Sequence, residues 1–250
     1  MTARGGRKAS STFGSRTDIG CVRDHNEDSL VVAPPLFAVC DGMGGARAGS
    51  VASSVAVEAF TASVEAAVAG GIPEAPDRRE QVLISACHEA NGRVYQLSLE
   101  KPEYEGMGTT LVAALVLPGT ACLVHVGDSR AYELANNSIQ QATVDHSLVQ
   151  LLVDRGEITP AEARVHPRKN LITRALGVDS QVECDINWVE PGAGSRVLLC
   201  SDGLTNVLED ETILSISGQQ GEAEGFCRAL LELTLERGAP DNVTVALAQL

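Results

Sequence analysis

The chain has 250 residues, 44% of them hydrophobic, enough for one large core or two small ones and too many for a disordered chain. A formal net charge of −14 sets it against nucleic-acid backbones and anionic membranes, and no run of about 18 apolar residues marks a membrane span or anchor. The seven cysteines are odd in number and never spaced C-x-x-C, so they read as buried hydrophobes in a reducing cytoplasm; none is followed by the arginine-closed phosphate loop of a cysteine phosphatase.

In chain order, residues 1–11 (MTARGGRKASS) are basic and small, with no apolar stretch after them, and read as a flexible tail rather than a signal peptide. Residues 20–28 form a charged stretch in which Arg23 lies four residues before Glu27-Asp28. Short apolar runs bounded by Gly, Pro, Asp or Asn predict strands at 29–33, 36–40, 109–117, 121–126, 130–134, 139–143, 182–189, 196–200 and 243–247. Asn136-Asn137 suits a hairpin turn, because Asn tolerates left-handed conformations. Helical spacing predicts a helix at 48–68, with Val51, Val55, Ala59 and Ala62 on one face, and another at 79–99 through Val82, Ala86, Ala90 and Val94. Pro73 and Pro76 break the link between them, and a third helix at 222–237 stops at Gly238.

Residues 145–177 differ from their surroundings. They are polar and basic, with His146, Arg155, His166, Arg168, Lys169 and Arg174, and they read as a surface insertion of the kind that forms a lid. Hairpin-linked strands with helices inserted in groups predict an α+β layered domain around one core rather than a parallel α/β one.

Four aspartates share one grammar. Asp41, Asp128 and Asp202 each follow an apolar strand and precede a small residue, whereas Asp241 comes just before such a strand. In an antiparallel sheet the end of one strand sits beside the start of its neighbour, so Asp41, Asp202 and Asp241 can share one rim. One Asp-Gly is ordinarily a turn. Carboxylates gathered at one rim repel, and they must take up protons or recruit cations; an oxygen-only cluster favours hard ions such as Mg²⁺ or Mn²⁺. Gly42 and Gly203 leave room beside Asp41 and Asp202 for a backbone carbonyl to approach a metal. Arg23 suits a two-pronged grip on phosphate, and Glu27 and Asp28 could orient metal-bound waters. His125, between valines in a strand, reads as structural.

The ordered set Val22-Arg23…Asn26-Glu27-Asp28, Asp41-Gly42-Met43-Gly44-Gly45, Gly106-Met107-Gly108-Thr109-Thr110, Val126-Gly127-Asp128-Ser129-Arg130, Ser201-Asp202-Gly203-Leu204 and Asp241-Asn242-Val243-Thr244 resembles the metal-dependent type 2C protein serine/threonine phosphatases, above all their compact bacterial members. The resemblance runs from about Thr12 to Leu250 and implies one phosphatase domain over 12–250, with 145–177 as its flap. The fold it implies is a four-layer αββα sandwich, two central antiparallel sheets flanked by helix pairs. The activity it implies is hydrolysis of phosphoserine and phosphothreonine on proteins by a metal-activated water, with two Mn²⁺ or Mg²⁺ in the core site and a third nearby.

Carried over to this chain, Asp41 would bridge two metals, Asp202 and Asp241 would complete the first metal's shell, and the Gly42 carbonyl would bind the second. Asp128 would join Asp202 at the third. Glu27 and Asp28 would act through waters, Asn242 would support the site by hydrogen bonds, and Arg23 would hold the substrate phosphate. Where the animal enzymes read Asp-Gly-His-Gly-Gly, with the His as proposed proton donor, this chain has Met43, whose thioether has no proton to give; a metal-bound water would take that role. The implied partners are phosphorylated proteins and a bacterial eukaryotic-like Ser/Thr kinase system, acting on a cytoplasmic monomer. Two other readings stand beside this one: a non-catalytic scaffold that binds phosphoproteins, and the phosphatase of a partner-switching, anti-anti-sigma-type regulator.

Overall fold

A computed structural model describes residues 12–44, 47–190 and 194–250. The tail expected at 1–11 and Gly45 of the glycine-rich turn lie outside the described residues. The chain runs β1 (Phe13–Asp18), β2 (Asp28–Ala33), β3 (Leu36–Met43), α1 (Ala48–Val68), α2 (Pro76–Glu100), β4 (Gly108–Thr109), β5 (Leu111–Leu117), β6 (Thr120–Val126), β7 (Arg130–Ala135) and β8 (Ser138–Gln141). It continues through α3 (Leu148–Asp154), α4 (Pro160–Arg164), β9 (Asp185–Val189), β10 (Arg196–Cys200), α5 (Asp202–Thr205), α6 (Asp210–Gln219), α7 (Ala223–Glu236) and β11 (Val243–Gln249).

The strands form two antiparallel sheets, ordered β1-β11-β10-β7-β8 and β2-β3-β5-β6-β9, with β4 paired to the end of β3. The central strands are apolar on both faces because each face meets a different core. Along β3, Leu36, Ala38 and Cys40 point to the α1/α2 layer, while Phe37 and Val39 point to the other sheet. On β10 and β11, Leu198, Cys200, Val243, Val245 and Leu247 meet α6 and α7, and Val197, Leu199, Ala246 and Ala248 face inward. The inner core is rich in alanine, with Ala114, Ala121, Ala131, Ala246 and Ala248. The result is the expected αββα sandwich.

Several local expectations need correction. The buried side of α1 is Ala52, Ala56, Phe60 and Val64, one residue round from the expected stripe; Val51, Val55 and Ala59 are half-buried and Ala62 is exposed. Pro76 does not lie in the link but starts α2, where its missing N–H costs nothing. The run at 109–117 breaks at Thr110 into β4 and β5, and β9 starts at Asp185 rather than at 182. Strand β1 and helix α6 were not expected at all. The Asn136-Asn137 turn has the left-handed backbone expected of it, with φ of 50° and 58°.

Helix α1 has 21 residues and a mean hydropathy of 1.4 over its most apolar window, enough by length and composition to cross a bilayer. It is a core helix instead: its apolar side covers β3 and its flank packs on α2.

Candidate metal centre

The strand-end grammar is realised at one rim of the sandwich, but the rim belongs to two sheets rather than one. Asp28 and Asp41 are cross-strand partners on β2 and β3. Asp202 follows β10 and Asp241 precedes β11, neighbours in the opposite sheet. Asp128 sits just past β6. A hydrogen bond from Ser201 Oγ to Asp28 Oδ2 (2.8 Å) crosses between the sheets, and Ser201 Oγ also accepts from the Thr244 amide at 3.0 Å.

Close packing brings the backbones together here. A Cβ on Gly42 would overlap the Gly49 carbonyl at the start of α1, and one on Gly203 would overlap the Asn242 carbonyl. These glycines therefore let helix and strand ends meet beside the aspartates, which is a more specific role than leaving space for a carbonyl to reach a metal.

Burial makes ionisation costly. It pushes Asp28 up to about 7, Asp128 up to about 8 and Asp202 up to about 6, against an ordinary 3.8, and neighbouring carboxylates add to each shift. Asp41 is driven well above its ordinary value, first by burial and then by Asp28, Asp202, Asp128 and Asp241. Glu27 is also raised, chiefly by burial.

Among the described residues, four buried side-chain polar atoms have no hydrogen-bond partner, and three of them are here: Glu27 Oε1, Asp28 Oδ1 and Asp202 Oδ1. Buried polar atoms are ordinarily paired, so three orphaned acceptors in one acidic cluster call for something positive. The donor set is all oxygen, as hard divalent cations require.

The neighbours hold these groups in place. Asn242 accepts from the Glu27 amide (2.8 Å) and donates to the Ile19 and His25 carbonyls (both 2.9 Å), tying the charged loop to β11. Thr110 Oγ1 accepts from the Asp41 amide at 2.9 Å and shares a 2.7 Å hydrogen bond with Ser129 Oγ, linking the backbone at Asp41 to the turn of Asp128. Asn206 donates to Asp202 Oδ2 at 2.8 Å and accepts from Lys169 of the 145–177 segment at 2.7 Å. Ser201 and Thr110 stand in the sequence motifs without a role of their own, and Asn206 lies outside them. Asn206 carried a readable signal, lying one helical turn beyond Asp202.

Arg23 is half exposed at the mouth of the cluster and donates to Asp241 Oδ2 at 2.7 Å. Beside the cluster, against the 145–177 segment, lies a cleft of about 300 Å³ lined by Asp128, Asp202, Asn206, Arg164 and Lys169 among others. Met43 lies apart from it, along a second groove with Ile172, Arg174 and Val178. All nine residues singled out in the sequence (Arg23, Glu27, Asp28, Asp41, Gly42, Asp128, Asp202, Asp241 and Asn242) come from segments that meet at this rim.

Residues 23–248 match the family model for protein phosphatase 2C. The chain is 43% identical over 236 residues to the serine/threonine protein phosphatase PstP of Mycobacterium tuberculosis, covering 94% of this chain but 44% of that protein, so it spans less than half the length of that relative. It is 38% identical over 239 residues to the serine/threonine phosphatase stp of Listeria monocytogenes, covering 94% of both. A solved structure of the catalytic domain of the serine threonine protein phosphatase PstP, in complex with two manganese ions, superposes with a TM-score of 0.84 at 40% identity, over 95% of this chain and 96% of that one.

Proposed function

The chain belongs to the protein phosphatase 2C family, and from that footing we propose that it is a metal-dependent protein serine/threonine phosphatase, hydrolysing phosphoserine and phosphothreonine esters on other proteins. The observation that carries this reading is the set of orphaned buried oxygens on Glu27, Asp28 and Asp202, lying among carboxylates that resist ionisation on their own. Asp41 would be shared by two cations, Mn²⁺ or Mg²⁺, with Asp202 and Asp241 completing the first shell and the Gly42 carbonyl serving the second. Asp128 would join Asp202 at a third. Glu27 and Asp28 would act through waters. Cations bound there lower the pKa of water and offset the charge that develops on a transferring phosphoryl group.

The chain's own residues do the rest. Arg23, half exposed beside Asp241, would receive a phosphate dianion at the mouth of a site in an otherwise acidic protein. Asn242 holds the loop that carries Arg23 and Glu27 against β11. Met43 has no proton to give, so a metal-bound water would protonate the leaving alkoxide. A monomer is the expected state. Seven free thiols suit the cytoplasm. Phosphoserine and phosphothreonine on proteins are made by Ser/Thr kinases, and a separate kinase of that class is the counterpart.

The test is phosphate release from a phosphothreonine peptide with Mn²⁺, with Mg²⁺ and with EDTA. Turnover that needs the metal and stops with EDTA is expected. A folded chain, checked by circular dichroism, that releases no phosphate with either metal would overturn the proposal and make phosphopeptide binding the next question.

A further inference from the structure

We propose that His146 is a positioning residue for Asp128, holding the 127–130 turn through a hydrogen-bonded chain that runs Asp185–His146–Gly127. The inference rests on the reading of Asp128 as a ligand for the third cation.

Asp128 lies in a bend rather than a strand, so no ladder fixes its backbone. The residue before it, Gly127, has φ +105°, and a Cβ there would lie 2.6 Å from Thr110 Cγ2. Gly127 is gripped on both backbone groups by one residue. Its carbonyl accepts from the His146 amide at 2.8 Å, and its own amide donates to His146 Nδ1 at 3.1 Å. On the other side of Asp128, the Arg130 guanidinium is held by Asp145, with Nε to Oδ1 at 2.8 Å and NH2 to Oδ2 at 2.7 Å. Two adjacent residues, Asp145 and His146, thus bracket Asp128 from both ends.

The orientation of the His146 ring is itself specified. Because Nδ1 accepts from Gly127, the proton of the neutral ring sits on Nε2. Nε2 lies 3.3 Å from Asp185 Oδ2, and Arg174 donates to the other oxygen of Asp185 at 2.8 Å. His125 stacks on His146 with ring centroids 4.5 Å apart, and its Nε2 bonds to the Val144 carbonyl at 2.8 Å. The ring is 7% exposed, which shields its Nδ1 contact with Gly127 from water, while the Asp185 carboxylate stays partly exposed.

His125, His146 and Asp185 bring three donor atoms within 4.8 Å of one another, a spacing that would suit a transition metal. The hydrogen bonds argue otherwise. A metal on His146 Nε2 would put the ring proton on Nδ1, facing the Gly127 N–H, and the Arg174 guanidinium already lies 3.2 Å from Nε2. The cluster is built to aim an acceptor at a backbone amide, in the way outer partners orient metal ligands elsewhere.

The test is Mn²⁺ titration by calorimetry, with kcat and KM measured on a phosphopeptide, for Asp128→Ala, His146→Leu, His146→Asn and Asp185→Ala. Asp128→Ala is expected to abolish the weakest class of Mn²⁺ binding. His146→Leu should weaken that same class by about 10- to 100-fold, with kcat falling and KM held. His146→Asn, whose Oδ1 can take the place of Nδ1, should recover most of the loss, and Asp185→Ala should weaken the class less than His146→Leu does. If Asp128→Ala changes that class while the His146 variants leave it unchanged, the inference is wrong and the ligand reading stands. If Asp128→Ala changes nothing, the ligand reading fails and takes the inference with it. Should His146→Leu not fold, unchanged Mn²⁺ binding in Asp185→Ala, or failure of His146→Asn to retain the weak class, still overturns the proposal.

Discussion

Arg23 NH2 donates to Asp241 Oδ2 at 2.7 Å, so the guanidinium read as the substrate's phosphate grip shares a carboxylate with the candidate metal centre. The same carboxylate would serve a cation, and the two positive groups are rivals for it. Arg23→Ala should therefore raise the KM for a phosphopeptide by about tenfold, the scale of a charge-assisted hydrogen bond, and leave Mn²⁺ binding as tight as before or tighter. Steady-state kinetics beside a calorimetric titration check both halves. An unchanged KM would remove Arg23 from substrate binding. Arg23→Lys should rescue little, because an ammonium lacks the two-pronged fork.

Asp202 follows β10 and Asp241 precedes β11, adjacent strands of one sheet, and both supply carboxylates to the cluster. Replacing either by Ala should lower kcat by several orders of magnitude while the far-UV circular dichroism stays as in the parent chain. Removing Asp202, one of several repelling buried carboxylates, should also leave the metal-free fold no less stable. Normal turnover by both variants would refute the metal assignment.

Without cations, stability should depend on pH in the direction opposite to ordinary acid denaturation. Burial raises the folded-state values of Asp28 to about 7, Asp128 to about 8 and Asp202 to about 6, and that of Asp41 well above its ordinary value. The unfolded chain ionises near its model-peptide value of about 4. Between these limits the folded state holds more protons, so stability falls as pH rises through that window. Thermal melts of the EDTA-treated protein from pH 5 to pH 8 should show a falling midpoint, and added Mn²⁺ should restore it most at the alkaline end. A midpoint that is flat or rises with pH in EDTA would contradict the electrostatics described here.

The 145–177 segment reaches the cluster through Lys169, Asn206 and Asp202. Asn206→Ala should raise the Mn²⁺ concentration for half-maximal activity by about 10-fold or more, because it frees Asp202 from its side-chain donor. Lys169→Ala should do the same more weakly. If only the lysine variant has an effect, Lys169 acts on substrate rather than on Asp202.

The strand-end aspartates are legible because each ends or begins an apolar run, and their shared rim follows from antiparallel pairing. That the rim is shared between two sheets is not legible, since alternation tells which residues face a core but not which sheet a strand joins. Strand β1, Phe-Gly-Ser-Arg-Thr-Asp, escapes notice because it is an edge strand held to β11 by backbone hydrogen bonds that no side-chain pattern records. Helix α1 has apolar residues on two neighbouring faces, Ala52, Ala56 and Phe60 toward β3 and Val51 and Val55 on its flank, so periodicity alone picks the wrong one. Ser201 and Thr110 act through single hydroxyls whose partners lie far away in sequence, Asp28 and Ser129.

The two ends of the sandwich are closed by unlike forces. At the far end Phe13 of one sheet meets Phe37 of the other edge to face, with ring centroids 6.4 Å apart, and Val197 and Ala248 belong to the same apolar layer. At the rim, opposed sheets present carboxylates to one another, joined by the hydrogen bond between Ser201 and Asp28. The molecule is thus put together like a spring clip: one end stays shut by itself, and the jaws at the other end push apart until a counter-charge clamps them. A chelator would slacken the jaws and leave the spring intact, so catalysis would be lost well before the fold.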